Sequence, residues 1–181
     1  MSADQNEIYV VDIDNNAAAR RATEVIIAQG RRNLATIAGP QDMGAGLDRF
    51  VGFKQAAQAA GLEPLAIEIG DYTPASGHHI MDQLLKRQVA IDGLFTASAQ
   101  MGFGALQALK EAGINVPKDI LVTSVDDDSF ARSSNPPLTT IAQYPQQQGE
   151  AMAELLIKRI QGQQVPQWSI MDTELVLRDS H

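Results

Sequence analysis

The chain has 181 residues, 44% hydrophobic and 20% charged, with no cysteine and a formal net charge of −8. That length supports one substantial core, or one lobe with part of another. The composition excludes disulfide frameworks, thiolate nucleophiles and Cys-zinc sites, argues against a phosphate-backbone footprint, and contains no apolar run near the ~20 residues of a membrane span.

The N-terminal Met1-Ser2-Ala3-Asp4-Gln5 is polar and acidic, unlike a secretory signal, and a cytoplasmic protein is expected. Ile8–Val11 reads as a first strand, Asp12-Ile13-Asp14-Asn15 as turn and cap, and a helix from about Asn16 ends at Gly30. Asn33–Ala38 is a second strand, broken by Gly39-Pro40; a helix carrying Leu47, Phe50 and Val51 then runs to Gly61. Pro64–Ile69 is a third strand, followed by a helix with Ile80, Leu84 and Leu85, with Ser76 as its cap. Ile91–Ala97 and Asp119–Val125 are further strands around a helix marked by Ala105, Leu106 and Leu109. Leu138–Ala142 is a short extended piece, a helix over Gln146–Gln161 follows, and Ser169–Leu177 reads as one last strand.

From Asn33 onward the strands recur at roughly thirty residues, the length of a βαβ unit, which implies an α/β fold with a doubly wound parallel sheet. In such sheets ligands bind outside the carboxyl ends of the strands. Those ends bear Gly39-Pro40, Gly70-Asp71-Tyr72, Ala97-Ser98 and Val125-Asp126-Asp127-Asp128, and Arg49 lies near the start of the helix after Gly39-Pro40. Arg49 offers a planar fork of donors for a carboxylate, phosphate or vicinal hydroxyls. Asp126 offers acceptors for hydroxyls, and Tyr72 a flat face for a sugar ring or a base.

Other constellations read as structural. Asp12-Ile13-Asp14 has the look of a phosphatase aspartate pair but is read as a strand-to-helix turn. His78 and His79 diverge on a helix and cannot share a metal as an i, i+4 pair would. The glycine-rich run from Gly39 to Gly46 matches neither GxGxxG nor a P-loop, and the pairs Arg20-Arg21, Arg31-Arg32 and Lys158-Arg159 read as solvated helix faces or ends. No catalytic residue, metal site or cofactor is expected.

Six stretches in order are similar to the LacI/GalR family of transcriptional regulators. They are Asp14-Asn15 through Gly30-Arg31-Arg32 to Ala38-Gly39-Pro40; Arg49-Phe50-Val51-Gly52-Phe53; Gly104-Ala105-Leu106; Val116-Pro117-Lys118-Asp119-Ile120; Val125-Asp126-Asp127; and Pro137-Leu138-Thr139-Thr140-Ile141 with Gln143 and Gly149. The resemblance implies a two-lobed, periplasmic-binding-protein-like effector domain for a sugar, sugar phosphate or nucleobase. It also implies control of DNA through an attached helix-turn-helix that this chain lacks.

Carried over, Arg49 matches an effector-gripping arginine, Asp126 an acceptor of ligand hydroxyls or amines, Tyr72 a stacking aromatic, and Gln143 a contact at the interlobe crossing. Ser98-Ala99 stands where the family commonly has Asn-Asp, so Ser98 brings fewer acceptors to the site.

By the same resemblance, residues 1–32 and 144–165 are remnants of an N-terminal lobe, and 33–143 with 166–181 form a complete C-terminal lobe. A helix without its sheet exposes an apolar stripe, and a homodimer or a repaired, swapped lobe is expected. The rival readings are a periplasmic sugar-binding protein of a transport system and a doubly wound enzyme.

Overall fold

The computed structural model describes residues 8–181; the polar N-terminal stretch read above lies outside them. Fourteen elements follow in order: β1 (Val10–Ile13), α1 (Asn15–Ala28), β2 (Leu34–Ala38), α2 (Gly44–Ala59), β3 (Ala66–Ile69), α3 (Pro74–Lys86) and β4 (Gly93–Thr96). Then come α4 (Ala99–Glu111), β5 (Leu121–Val125), α5 (Ser129–Ser133), β6 (Thr139–Ala142), α6 (Pro145–Ile160), β7 (Trp168–Met171) and β8 (Glu174–Val176). They divide into two compact units: residues 15–142 with 174–181, and residues up to 14 with 143–173.

The larger unit is a six-stranded sheet in the order β3-β2-β4-β5-β6-β8. The first five strands are parallel and β8 runs antiparallel to β6, so the doubly wound sheet expected as parallel carries one reversed edge strand. The chain leaves β2 toward β3 and returns to β4 on its other side. That reversal puts the topological switch point between β2 and β4, where two loops diverge and leave a crevice.

Side chains alternate across the strands and build two cores. Ala35, Ile37, Leu94 and Val122 point to the face covered by α3 and α4, where they join Met81, Leu84, Met101 and Leu109. The opposite face is covered by α1 and α2: Phe95 stacks on Phe53 of α2 at 5.9 Å, and Thr123 Oγ1 donates to Ala22 O of α1 at 3.0 Å.

The α3–α4 crossing is backbone-close, because Gly77 lies against Met101 and Gly104 against Pro74. A Cβ on Gly104 would stand 1.9 Å from Pro74 O, and one on Gly77 2.1 Å from Met101 O. The same device brings Gly52 of α2 against Asn16 of α1.

Three sequence expectations need correction here. α1 packs on α2 and β5, so the boundary expected after residue 32 falls after Asp14; the buried face of α1 has its sheet after all. The single last strand expected over Ser169–Leu177 is two strands. β7 pairs parallel with β1, and β8 pairs antiparallel with β6, so 166–173 leaves the larger unit while 174–181 stays in it. β1 is displaced by two residues, taking Asp12 and Ile13 into the strand; the Asp12 carboxylate accepts from the Ile13 N–H at 2.7 Å.

In the smaller unit α6 lies against β1 and buries none of its residues. Met152, Leu156 and Ile160 of α6 and Trp168 and Ile170 of β7 are exposed, and Arg159 lies 4.8 Å over the Tyr9 ring. Among the described residues no helix is long and apolar enough to cross a membrane.

Candidate functional site

A pocket of about 210 Å³ opens beside the switch point of the large sheet, lined by Ala45, Arg49, Tyr72, Ser98, Gln100 and Asp126. Each side chain arrives by a separate local device. Arg49 stands in the second turn of α2, whose entry loop from Gly39 to Met43 follows β2 directly. Tyr72 follows β3 with φ of 67°, a left-handed conformation few non-glycine residues adopt, and α3 is then capped by Thr73, whose Oγ1 accepts from Ser76 N–H at 3.1 Å.

Ser98 follows β4 as the N-cap of α4, its Oγ accepting from Met101 N–H at 3.3 Å. Asp126 follows β5, also left-handed at φ 77°, and its N–H still reaches Ile141 O of β6 at 3.0 Å. Four strand ends thus feed one mouth, as the parallel order requires.

Arg49 is the centre of the site. Only 5% of it is exposed, and two of its nitrogens are engaged: Nε donates to Asn15 Oδ1 at 2.8 Å, and Nη1 to Ala97 O at 2.7 Å and to Asp126 Oδ2 at 3.4 Å. The third, Nη2, has no hydrogen-bond partner among the described residues. A guanidinium held from two sides with one donor edge left over is pre-organised to receive an oxygen or an anion.

The Tyr72 hydroxyl is buried without a hydrogen-bond partner among the described residues, and its ring lies against Gly39. Burial raises the phenol above its usual range; nearby Arg49 pulls it down and Asp126 pushes it up. It is protonated at neutral pH, an O–H donor beside a carboxylate.

Of the five residues expected at the site, Arg49, Tyr72, Ser98 and Asp126 meet here. Gln143 belongs to the smaller unit and is not among the pocket's lining residues. Ala45 and Gln100 are additions. Asn15 is the other addition: it reads in sequence as an ordinary cap, yet it is 4% exposed and orients Arg49.

His78 and His79 go separate ways, to Glu111 Oε2 at 2.9 Å and to Gln83 Nε2 at 2.9 Å. Arg31 ties the loop before β5 by donating to Pro117 O and Lys118 O at 2.6 and 2.9 Å.

The family described as periplasmic binding protein-like domain matches residues 23–181. The chain belongs to that family. Its relatives are LacI-family regulators. It is 40% identical over 179 residues to the HTH-type transcriptional regulator CelR of Thermobifida fusca, covering 97% of this chain and 53% of that protein. It is 36% identical over 181 residues to the HTH-type transcriptional repressor CytR of Escherichia coli (strain K12), covering 98% and 53%.

Among solved structures it matches a CelR–cellobiose complex with a TM-score of 0.92 at 39% identity, covering 100% of this chain and 56% of that one. It matches the Lac repressor bound to ONPG with a TM-score of 0.92 at 28% identity, covering 99% and 55%. The chain spans about half the length of the curated relatives it matches. The fold is therefore that of the LacI-family effector-binding domain, which agrees with the resemblance carried by the six sequence stretches.

Proposed function

We propose that this chain is the effector-sensing core of a LacI-type transcriptional regulator, and that the pocket around Arg49 binds a sugar or related small metabolite. The observation that carries the reading is the convergence of Arg49, Tyr72, Ser98 and Asp126 from four strand ends, with no described residue engaging Arg49 Nη2. Donor fork, carboxylate, hydroxyl and aromatic face together suit a ring bearing hydroxyls. At about 210 Å³ the pocket is below the ~300–1,000 Å³ typical of larger ligand sites, so it takes one ring of a glycoside, a sugar phosphate or a nucleobase.

Because a relative of 39% identity is described with cellobiose, that disaccharide is the first ligand to try. In this reading no chemical step occurs: bound effector changes the affinity of a DNA-reading helix-turn-helix of the kind for which the relatives are named, in the cytoplasm. The 181 residues, at a net charge of −8, are not themselves the DNA contact. Copies pair as a homodimer, as the Lac repressor described as dimeric does; a monomeric mass by light scattering across micromolar concentrations overturns that part.

Calorimetric titration with cellobiose, followed by thermal-shift screening of sugars, sugar phosphates and nucleosides, tests the site. A binder stabilises the folded state by RT ln(1 + [L]/Kd) and so raises the melting temperature. Binding that survives Arg49→Ala unchanged overturns the assignment of the pocket.

A further inference from the structure

We propose that Arg178, near the C-terminus and outside the pocket, is a positioning residue that acts through Asp127 on Asp126; this rests on the effector-binding reading of the pocket. The three consecutive aspartates after β5 are divided among three tasks. Asp126 turns to Arg49. Asp128 caps α5, its Oδ1 accepting from Phe130 N–H and Ala131 N–H at 2.8 and 3.1 Å. Asp127 turns to β6 and the chain end: Oδ1 lies 2.6 Å from Arg178 Nη2 and accepts from Thr140 Oγ1 at 3.1 Å, while Oδ2 lies 3.2 Å from Arg132 Nη1.

The Asp127 and Arg178 side chains are only 14% and 18% exposed, so their pairing is little weakened by water; Arg132, at 61%, contributes less. Arg178 is itself immobilised. Its N–H donates to Thr139 Oγ1 at 2.8 Å and its Nη1 to Leu138 O at 2.8 Å. Two residues later Ser180 is fully buried, its Oγ donating to Val122 O at 2.6 Å and its carbonyl accepting from Val122 N–H at 2.9 Å. The chain end is stitched to β5 and β6, and Arg178 is the arm it extends to the aspartate loop.

The consequence reaches the pocket because Asp126 is held at φ 77°. A non-glycine residue stays in that sparsely populated region only while its surroundings enforce it. Asp127 fixed on one side and the β6 hydrogen bond on the other supply the enforcement. Released, residue 126 relaxes toward ordinary backbone geometry and its carboxylate leaves Arg49.

The test uses the whole chain with Arg178→Met, Arg178→Lys and Asp127→Asn. Arg87→Met, which removes the exposed Arg87–Glu68 pair, serves as the remote control. In ¹H–¹⁵N spectra, Arg178→Met and Asp127→Asn shift the Arg49 Nε–H and Asp126 amide resonances, Arg178→Lys returns them part-way, and Arg87→Met leaves them in place. Cellobiose affinity falls about ten-fold in the first two variants, the scale of one misdirected charged hydrogen bond.

A folded Arg178→Met protein with an unmoved Arg49 Nε–H overturns the proposal. If that variant does not fold, the same result in Asp127→Asn does so. Should the wild-type chain bind no cellobiose, the spectra alone still decide the positioning role, and it is the choice of ligand that fails.

Discussion

The phenol of Tyr72 fills the space that a side chain at position 39 would need: a Cβ on Gly39 would stand 2.2 Å from the Tyr72 hydroxyl and 2.4 Å from Cζ. Contacts that short do not occur, so Gly39→Ala expels the ring, which is the movable partner. We expect a weaker ligand interaction with little change in melting temperature. A double-mutant cycle checks the cause: once Tyr72 is alanine, the Gly39 substitution has no further effect on affinity. Additive losses would show that Gly39 matters for another reason.

Arg49→Ala removes a donor edge and leaves Asp126 without its partner at 3.4 Å. Affinity for the effector falls by about 2 kcal/mol, roughly thirty-fold, and Asp126→Ala costs a similar amount. Arg49→Lys recovers charge but not the fork, so it restores only part of the loss. Calorimetry at constant ionic strength gives these values, and equal affinities for lysine and arginine would rule out a bidentate role.

Asp71 carries a pH signature beside the pocket. Its Oδ1 accepts from Thr73 Oγ1 at 2.6 Å and from Thr73 N–H at 2.9 Å, and the Thr73 and Ser76 hydrogen bonds bring its pKa down to about 2. A carboxyl whose folded pKa lies below its unfolded value stabilises the fold above the unfolded value and loses that contribution as pH falls through the folded one. The turn into α3 is therefore intact at neutral pH and loosens between about pH 4 and 2. Carboxyl ¹³C titration should show a midpoint near 2 for Asp71, and Asp71→Asn should remove that step from the acid-stability curve.

The glycines of the helices divide sharply. Gly104→Ala drives a Cβ into Pro74 O and should cost about 2 kcal/mol, lowering the melting midpoint by about 4–8 °C. Gly149→Ala on α6, where a Cβ would meet no described residue within 4 Å, should be neutral or stabilising by up to about 1 kcal/mol. Denaturant unfolding of the two variants checks the contrast; similar destabilisation would mean that helix propensity, not the crossing, governs position 104.

Much of this arrangement was legible in the sequence, because short apolar, β-branched runs alternating with segments of helical periodicity declare a parallel sheet, and the parallel order brings the residues after each strand to one edge. Arg49, Tyr72, Ser98 and Asp126 could be found that way. Asn15 could not, since an asparagine at a helix start looks like any cap and its bond to Arg49 spans 34 residues. Arg178 was hidden for the same reason: its partner lies across the sheet.

The split of Ser169–Leu177 into β7 and β8 was also illegible. Asp172-Thr173 is a weak break, and only pairing partners reveal that the two halves serve different sheets. α1 was assigned to the wrong unit because amphipathicity marks a buried face without naming what buries it.

The contact of α3 with α4 has a bearing on the pocket wall. Tyr72 is two residues from the first turn of α3, and Ser98 caps α4 through Met101, the residue whose backbone Gly77 touches. With no side chain between the two backbones there is no compliance at that crossing, so the spacing of the aromatic and the hydroxyl is set like the gap of a caliper. Substitutions that retune what this edge of the sheet accepts must act on the jaws themselves, because the frame behind them has no slack to give.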